Sequence, residues 1–203
     1  MRESRKVVSV VSTGVANVAS VLAAFRRLGA EPQEADQPEA VASADYLVLP
    51  GVGAFAAAMQ ALQTRELVQP LQERIRKGQP TLAICLGLQL FAAESEESPN
   101  VAGLGIWSDR IVRLTSQRVP QLGWNRVDAA KESRYLESGY AYYANSYCLG
   151  AEPQGWTASW SDHDGKLVAA VERGSVLACQ FHPELSGAWG EQLLRRWVEG
   201  ARC

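Results

Sequence analysis

Short apolar runs, each cut off by a polar or glycine-bearing turn and then followed by a segment of helical periodicity, make up the first hundred residues. Residues 6–11 end in Ser12-Thr13-Gly14, after which Val18, Val21, Leu22, Phe25 and Leu28 recur at helical spacing up to Gly29. Residues 46–49 stop at Pro50-Gly51, and helical patterns follow over 54–60 and 64–77, the second with Leu67, Val68, Leu71 and Ile75 facing inward. Residues 81–84 run straight into a helix start over 86–92. Such alternation is the pattern of strand–helix–strand units and a parallel sheet. After about Asn100 the texture changes to short alternating segments at 111–114, 125–127, 140–147, 156–160, 167–171 and 176–180. The chain closes on an amphipathic helix with Trp189, Leu193, Leu194, Trp197 and Val198 as its buried stripe. The expectation is one α/β domain over residues 1–203, with a mostly parallel central sheet extended by antiparallel strands.

A length of 203 residues suits one well-packed domain, and 47% hydrophobic with 21% charged residues is ordinary for a globular protein. A formal charge of -2 gives no electrostatic reason to expect a nucleic-acid partner. The densest charge run, Glu73-Arg74-Ile75-Arg76-Lys77, reads as a solvated helix face. Neither a secretory core nor a stretch of membrane-spanning length is present, so no membrane association and a cytoplasmic location are expected. Cys85, Cys148, Cys179 and Cys203 stand far apart, without the close pairs that mark zinc or a redox dithiol. In a reducing compartment they are expected to be free thiols, and one of them is available as a nucleophile.

Cys85 is the candidate. A buried strand runs directly into it, and the small residues Ala83 and Gly87 flank it two positions away on either side. A tight strand-to-helix turn needs small flanks and presents its central side chain at the carboxyl edge of the sheet. The helix that follows brings N–H groups and a positive dipole end, which favour a thiolate. Alone, a cysteine in such a place more often reads as a core residue. Two further strand ends change the balance. Gln180-Phe181-His182-Pro183-Glu184 offers an imidazole that can exchange protons with a thiol and a carboxylate that can orient it. His182 taken alone reads equally as a surface or capping histidine, and His163, in Ser161-Asp162-His163-Asp164-Gly165, reads as a hairpin-loop residue. Pro50-Gly51-Val52-Gly53-Ala54-Phe55 is a glycine-rich turn whose amides can converge on a developing negative charge. Three strand ends of complementary chemistry point to one thiol-dependent site.

Pro50-Gly51-Val52-Gly53-Ala54-Phe55, Ile84-Cys85-Leu86-Gly87-Leu88-Gln89 and Phe181-His182-Pro183-Glu184 resemble the signatures of class I (triad) glutamine amidotransferases. Within that class, Pro120-Gln121-Leu122-Gly123-Trp124-Asn125 is similar to the Pro-His-Met-Gly-Trp-Asn stretch of the glutaminase subunits of imidazole glycerol phosphate synthase. Tyr142-Tyr143-Ala144-Asn145-Ser146-Tyr147 and Gly103-Leu104-Gly105-Ile106 add to the likeness, which spans about residues 14–190. The resemblance implies a three-layer, flavodoxin-like fold and a Cys85–His182–Glu184 triad that hydrolyses glutamine through a cysteinyl thioester. It implies an oxyanion site at Gly51, Val52 and Leu86, and glutamine-holding positions at Gly53, Gln89, Asn145, Ser146 and Tyr147. The implied partner is a (β/α)8-barrel cyclase subunit, met by Gln121, Trp124, Asn125, Tyr142 and Leu185, and no metal or organic cofactor is implied. Trp124, Asn125 and Tyr142 also read as residues packing within their own domain.

Asn145 and Gln121 stand where the family usually has histidine, Leu185 where lysine or arginine is common, and Ala83 and Ala16 where glycine is usual, although Asn17 remains. These departures touch docking and coupling more than the thiol chemistry. Other readings are a stand-alone thiol amide hydrolase, a non-catalytic binding subunit, and a glutaminase serving a different acceptor synthase.

Overall fold

The computed structural model describes residues 5–12 and 18–200; Thr13, Gly14, Ala16, Asn17 and Cys203 lie outside the described residues. The first half runs β1 (Val7–Val11), α1 (Ala19–Arg27), β2 (Glu31–Ala35), α2 (Pro38–Ser43), β3 (Tyr46–Gly51), α3 (Phe55–Thr64), α4 (Val68–Arg76), β4 (Thr81–Cys85) and the single-turn α5 (Leu86–Gln89). Short strands follow: β5 (Glu94–Ser95), β6 (Arg110–Arg113), β7 (Gln121–Val127), β8 (Gly139–Asn145) and β9 (Tyr147–Leu149). The last part comprises β10 (Thr157–Asp162), β11 (Lys166–Arg173), β12 (Val176–Cys179), a 3-10 turn at Pro183–Leu185 and α6 (Gly187–Gly200).

Seven strands form the main sheet in the order β10-β11-β12-β4-β3-β1-β2. From β2 through β12 the pairs are parallel; β11 and β10 then add antiparallel. The parallel part follows the doubly wound, flavodoxin-like order, in which strand carboxyl ends carry the ligand site. Here β3, β4 and β12 deliver their carboxyl ends side by side. The hairpin β7–β8 and the small sheet β5-β6-β9 stand apart from the main sheet.

Period-two alternation in the central strands divides the core in two. Tyr46 and Val48 of β3 pack with Phe25 and Trp197 on one face, while Leu47 and Leu49 pack with Leu62, Leu71 and Ile75 on the other. The Trp197 ring meets Tyr46 and Phe25 edge-on, at centroid separations of 5.6 and 6.2 Å. Burying each such side chain contributes roughly 1.5–3 kcal/mol.

Two expectations need correcting. The helix after Cys85 is four residues rather than seven, because the chain turns at Leu90 to give its backbone to residues 104–107. The charge run in α4 is not wholly solvated: Arg74 is buried, since the helical period puts it beside Leu71 and Ile75 on the sheet side. Its guanidinium donates to Thr81 Oγ1 at 3.1 Å, Pro80 O at 2.8 Å and Val41 O at 3.2 Å. Desolvation pulls its pKa down to about 10, with Asp45 acting the other way. Among the described residues no helix is long and apolar enough to cross a membrane.

Candidate active site

Cys85 is the last residue of β4, and its backbone (φ 55°, ψ -109°) lies where a side chain is strained. A non-glycine residue held there costs about 1–3 kcal/mol, which the neighbours must enforce. They do so by close approach. Gly51 pairs with Cys85 in register, and a Cβ on Gly51 would come within 2.7 Å of the Leu86 Cβ. A Cβ on Gly87 would collide with the Leu49 carbonyl oxygen. The bend therefore needs glycine on both sides, and it turns the sulfur into a cleft of about 340 Å³. If the strain belongs to the nucleophile, Cys85→Gly should unfold at a higher temperature than Cys85→Ala, by roughly 1 kcal/mol of relieved backbone strain. Thermal unfolding of the two inactive variants checks this, and a lower midpoint for glycine would contradict it.

His182 enters from the segment beyond β12. Its N–H donates to Tyr142 O at 2.9 Å, and its own carbonyl accepts from Ser186 Oγ at 2.6 Å and from Leu185 N at 3.1 Å. With the backbone held, the ring places Nδ1 2.8 Å from Glu184 Oε1, both side chains being almost fully buried. Burial works against a charged ring here. Hydrogen bonding and charge interaction with Cys85 and Glu184 outweigh it and push the His182 pKa up to about 10. At neutral pH the imidazolium thus donates Nδ1–H to Glu184 and turns Nε2 to the sulfur. Cys85, His182 and Glu184 meet, although nearly a hundred residues separate the first from the others.

The cleft is lined by Val52, Gly53 and Leu86 on the sulfur's own side, and by Ala144, Asn145, Ser146 and Tyr147 opposite, with Gln89 between. Gly51, next to Cys85 in the sheet, does not line it. Gln89 Nε2 donates to Tyr147 O at 2.9 Å, and Asn145 Nδ2 donates to the same carbonyl at 3.0 Å. These bonds fix the bend between β8 and β9. Sequence reasoning missed Glu97, which lines the cleft and accepts the Phe55 N–H at 2.8 Å, while Ser98 Oγ accepts that of Ala56 at 3.2 Å. This loop thereby caps α3, whose own N-cap, Ala54, has no side chain to do so. A loop carboxylate reaching across 42 residues leaves no local signal. Among the described residues no cluster of His, Cys, Asp and Glu is arranged to hold a metal ion.

The residues assigned to a partner face separate into two sets. Trp124 and Tyr142 lie on the outward side of the β7–β8 hairpin, rings edge to face at 6.2 Å, and Leu185 is exposed nearby. Gln121 and Asn125 point the other way, because they are odd positions on a strand whose even positions face out. Gln121 is only 3% exposed, so the partner-face position expected for it is corrected to an inner one opposite Asn145. Asn125 donates to Asp162 O at 2.7 Å. Leu122 and Tyr140, at 70% and 57% exposure, belong to the outward face and were not singled out, although alternation with Trp124 would have found them. His163 sits in the β10–β11 turn and donates from Nε2 to Arg118 O at 2.7 Å, away from the cleft.

Comparison with known proteins agrees with this geometry. The family described as glutamine amidotransferase class-I matches residues 11–200. A protein of Methanothermobacter thermautotrophicus named imidazole glycerol phosphate synthase subunit HisH is 39% identical over 201 residues, covering 97% of this chain and 100% of the relative. The HisH subunits of Symbiobacterium thermophilum and Chlorobaculum tepidum are 40% and 38% identical, over 93% and 95% of this chain and 91% and 99% of theirs. Among solved structures, a glutamine amidotransferase superimposes with a TM-score of 0.78 at 21% identity, over 96% of this chain and 99% of the other. A second glutamine amidotransferase, from Thermotoga maritima, does so with a TM-score of 0.65 at 16% identity, over 98% and 83%. The structures speak for the fold and the sequences for descent: this chain belongs to the class I glutamine amidotransferases, among the HisH-type subunits of imidazole glycerol phosphate synthase.

Proposed function

We propose that this chain hydrolyses glutamine to glutamate and ammonia and passes the ammonia to a (β/α)8-barrel cyclase partner, being the glutaminase half of imidazole glycerol phosphate synthase. The observation that carries the reading is the imidazole of His182 held between the Cys85 sulfur and the Glu184 carboxylate at the edge of a cleft. The Cys85 thiolate attacks the carboxamide carbon, and the oxygen's negative charge develops beside the Gly51–Val52 turn and the Leu86 amide. His182 gives its proton to the departing ammonia, leaving a glutamyl thioester. The same ring then takes a proton from water, hydroxide adds to the thioester, and glutamate leaves as the thiolate returns.

The rest of the cleft suits an amino acid. Ser146 and Tyr147 offer backbone groups on a bend that Gln89 and Asn145 hold rigid, and Glu97 supplies a carboxylate for an α-ammonium. The outward face of the hairpin suits a partner. Leu122, Trp124, Tyr140 and Leu185 form an exposed apolar surface, and depletion of charge with aromatic enrichment is the composition of an interface centre. Through the Tyr142 carbonyl this surface is one hydrogen bond from the backbone of His182. Pressure on the hairpin can thus reach the proton-transfer group.

A glutaminase assay with and without the cyclase partner and its ribotide ligand tests the reading. The expected result is slow hydrolysis by the free chain and a rise of at least about tenfold in the liganded complex, a coupling of ~1.4 kcal/mol or more. Full-speed hydrolysis by the chain alone, indifferent to the cyclase, would replace this reading with that of an independent amide hydrolase.

A further inference from the structure

We propose that Gln180 is a positioning residue for the nucleophile, its carboxamide nitrogen donating a hydrogen bond to the Cys85 sulfur while Gln89 holds the amide in the one orientation that permits this. The inference rests on the glutaminase reading above. Gln180 is fully buried beyond the end of β12, with Nε2 3.9 Å from the sulfur and Oε1 3.1 Å from Gln89 Nε2. The orientation follows from what each group can donate. Gln89 Nε2 also lies 2.9 Å from the Tyr147 carbonyl, which only accepts, so the Gln89 amide group must present its nitrogen there. The atom of Gln180 facing that same nitrogen must then be its oxygen, and the atom left to face the sulfur is its NH2.

The sulfur therefore has two competing neighbours. Ala144 O, 3.9 Å away, is an acceptor and suits the protonated thiol. The Gln180 NH2 is a donor and suits the thiolate. In the thiolate–imidazolium pair the contact with Ala144 O has no hydrogen and is repulsive, whereas the contact with Gln180 is strengthened because its acceptor is charged. The proton that leaves Sγ is the one His182 carries on Nε2, and nothing else changes hands. Catalytic hydrogen bonds are often long in the empty site and shorten once charge develops, which accords with a 3.9 Å separation here. Gln180 thus biases the sulfur away from the Ala144 carbonyl and towards its reactive state.

The titratable groups around this sulfur are His182 beside it, Glu184 behind the ring and Glu97 across the cleft. On β12, Cys179 is fully buried and its thiol is pushed well up, first by desolvation and then by Glu172 and Glu184. Replacing Gln180 removes none of these groups. Two variants separate a role at the sulfur from a role as a strut. Gln180→Glu keeps an acceptor for Gln89 and so keeps the strut, but it turns a carboxylate oxygen towards the sulfur. Gln180→Met has similar length and neither donor nor acceptor.

The experiment measures the rate of Cys85 alkylation by iodoacetamide against pH on the intact chain, read by peptide mass, together with kcat and KM for glutamine in the assembled synthase. For Gln180→Glu the alkylation profile is expected to move up by about one to two pH units and kcat to fall by about a hundredfold. For Gln180→Met the expected loss in kcat is about tenfold, and in both KM stays within about threefold. Because an ionised carboxylate in that position is costly, the alkylation profile of the methionine variant decides the matter if the glutamate variant does not fold: an upward shift upholds the donor, and an unchanged profile overturns it whatever kcat does. A glutamate variant with the wild-type alkylation profile and kcat would overturn the proposal, as would a methionine variant with both unchanged. A shifted alkylation profile in a chain whose wild type releases no ammonia from glutamine would uphold Gln180 as the donor and overturn the glutaminase reading instead.

Discussion

Cys85→Ala is expected to lower glutamine hydrolysis by at least ~10⁴-fold while leaving synthesis from added ammonium salts in the assembled complex within about twofold of wild type. The size of the first effect follows from the chemistry. Without the sulfur no thioester forms, and the Val52, Gly53 and Leu86 wall can at most assist direct attack by water. Loss of a nucleophile in comparable triad enzymes leaves only what the oxyanion site and binding contribute, some 10³–10⁴ over water. The second effect follows from the division of labour: ammonia supplied from solution enters downstream of the missing step. Alanine fits at position 85, since it keeps the Cβ that Cys85 already carries and adds nothing beyond it, so the variant should fold and dock. Both activities are read from one preparation by exchanging the nitrogen source. Loss of the ammonium-dependent reaction along with the other would mean that the thiol serves the acceptor chemistry, contrary to the proposed function.

What the amino-acid sequence disclosed, and what it withheld, divides along the range of the forces involved. The central strands were legible because burial on both faces makes them continuous apolar runs, as at residues 46–49 and 81–84. The edge strand β2 was not: Glu31, Pro32, Gln33 and Glu34 carry no apolar signal. An edge strand tolerates proline and gains from charge, which keeps it from pairing with other chains. Helix α2, six residues with only Val41 fully buried, was invisible for a related reason. It forms by tertiary contact rather than by its own periodicity. Cys85, His182 and Glu184 stood out because their turns need particular local residues. The supports of the site did not stand out. Glu97 caps a helix 42 residues away, and Gln180 acts through Gln89, 91 residues from it. Nothing in a local pattern anticipates a hydrogen bond that exists only after the sheet has formed. Gln121 shows the converse. Its motif suggested an interface, but strand alternation, readable from the buried Val127 and exposed Trp124 on the same strand, turns it inward.

The second large effect is expected at His182. His182→Ala should cost ~10⁴-fold or more in glutamine hydrolysis, and Glu184→Gln only about 10²-fold, because the ring itself moves the protons whereas the carboxylate orients and stabilises it. Glutamine at position 184 retains an oxygen that can accept from Nδ1–H, so the ring keeps its direction and loses only the charge beside it. Equal losses in the two variants would reject these roles. The same ring makes a pH signature in stability. Its folded pKa is raised to about 10, from an ordinary value near 6.5, because the interactions with Cys85 and Glu184 exceed the burial penalty. A raised pKa means that the folded state holds the proton more tightly than the unfolded chain. The resulting stabilisation is complete below about pH 6.5, declines above it, and is gone once pH passes about 10. His182→Ala removes this contribution and leaves Glu184 buried without its partner, so it should unfold at a lower temperature than wild type near neutral pH. On the order of a few kcal/mol separate the two at pH 6, and the gap should narrow steadily towards pH 10. Thermal unfolding of both proteins at pH 6, 8 and 10 reads this directly; a gap that is constant or widens with rising pH would mean that His182 is neutral in the folded chain, and its role as the acid that releases ammonia would then have to be given to another group.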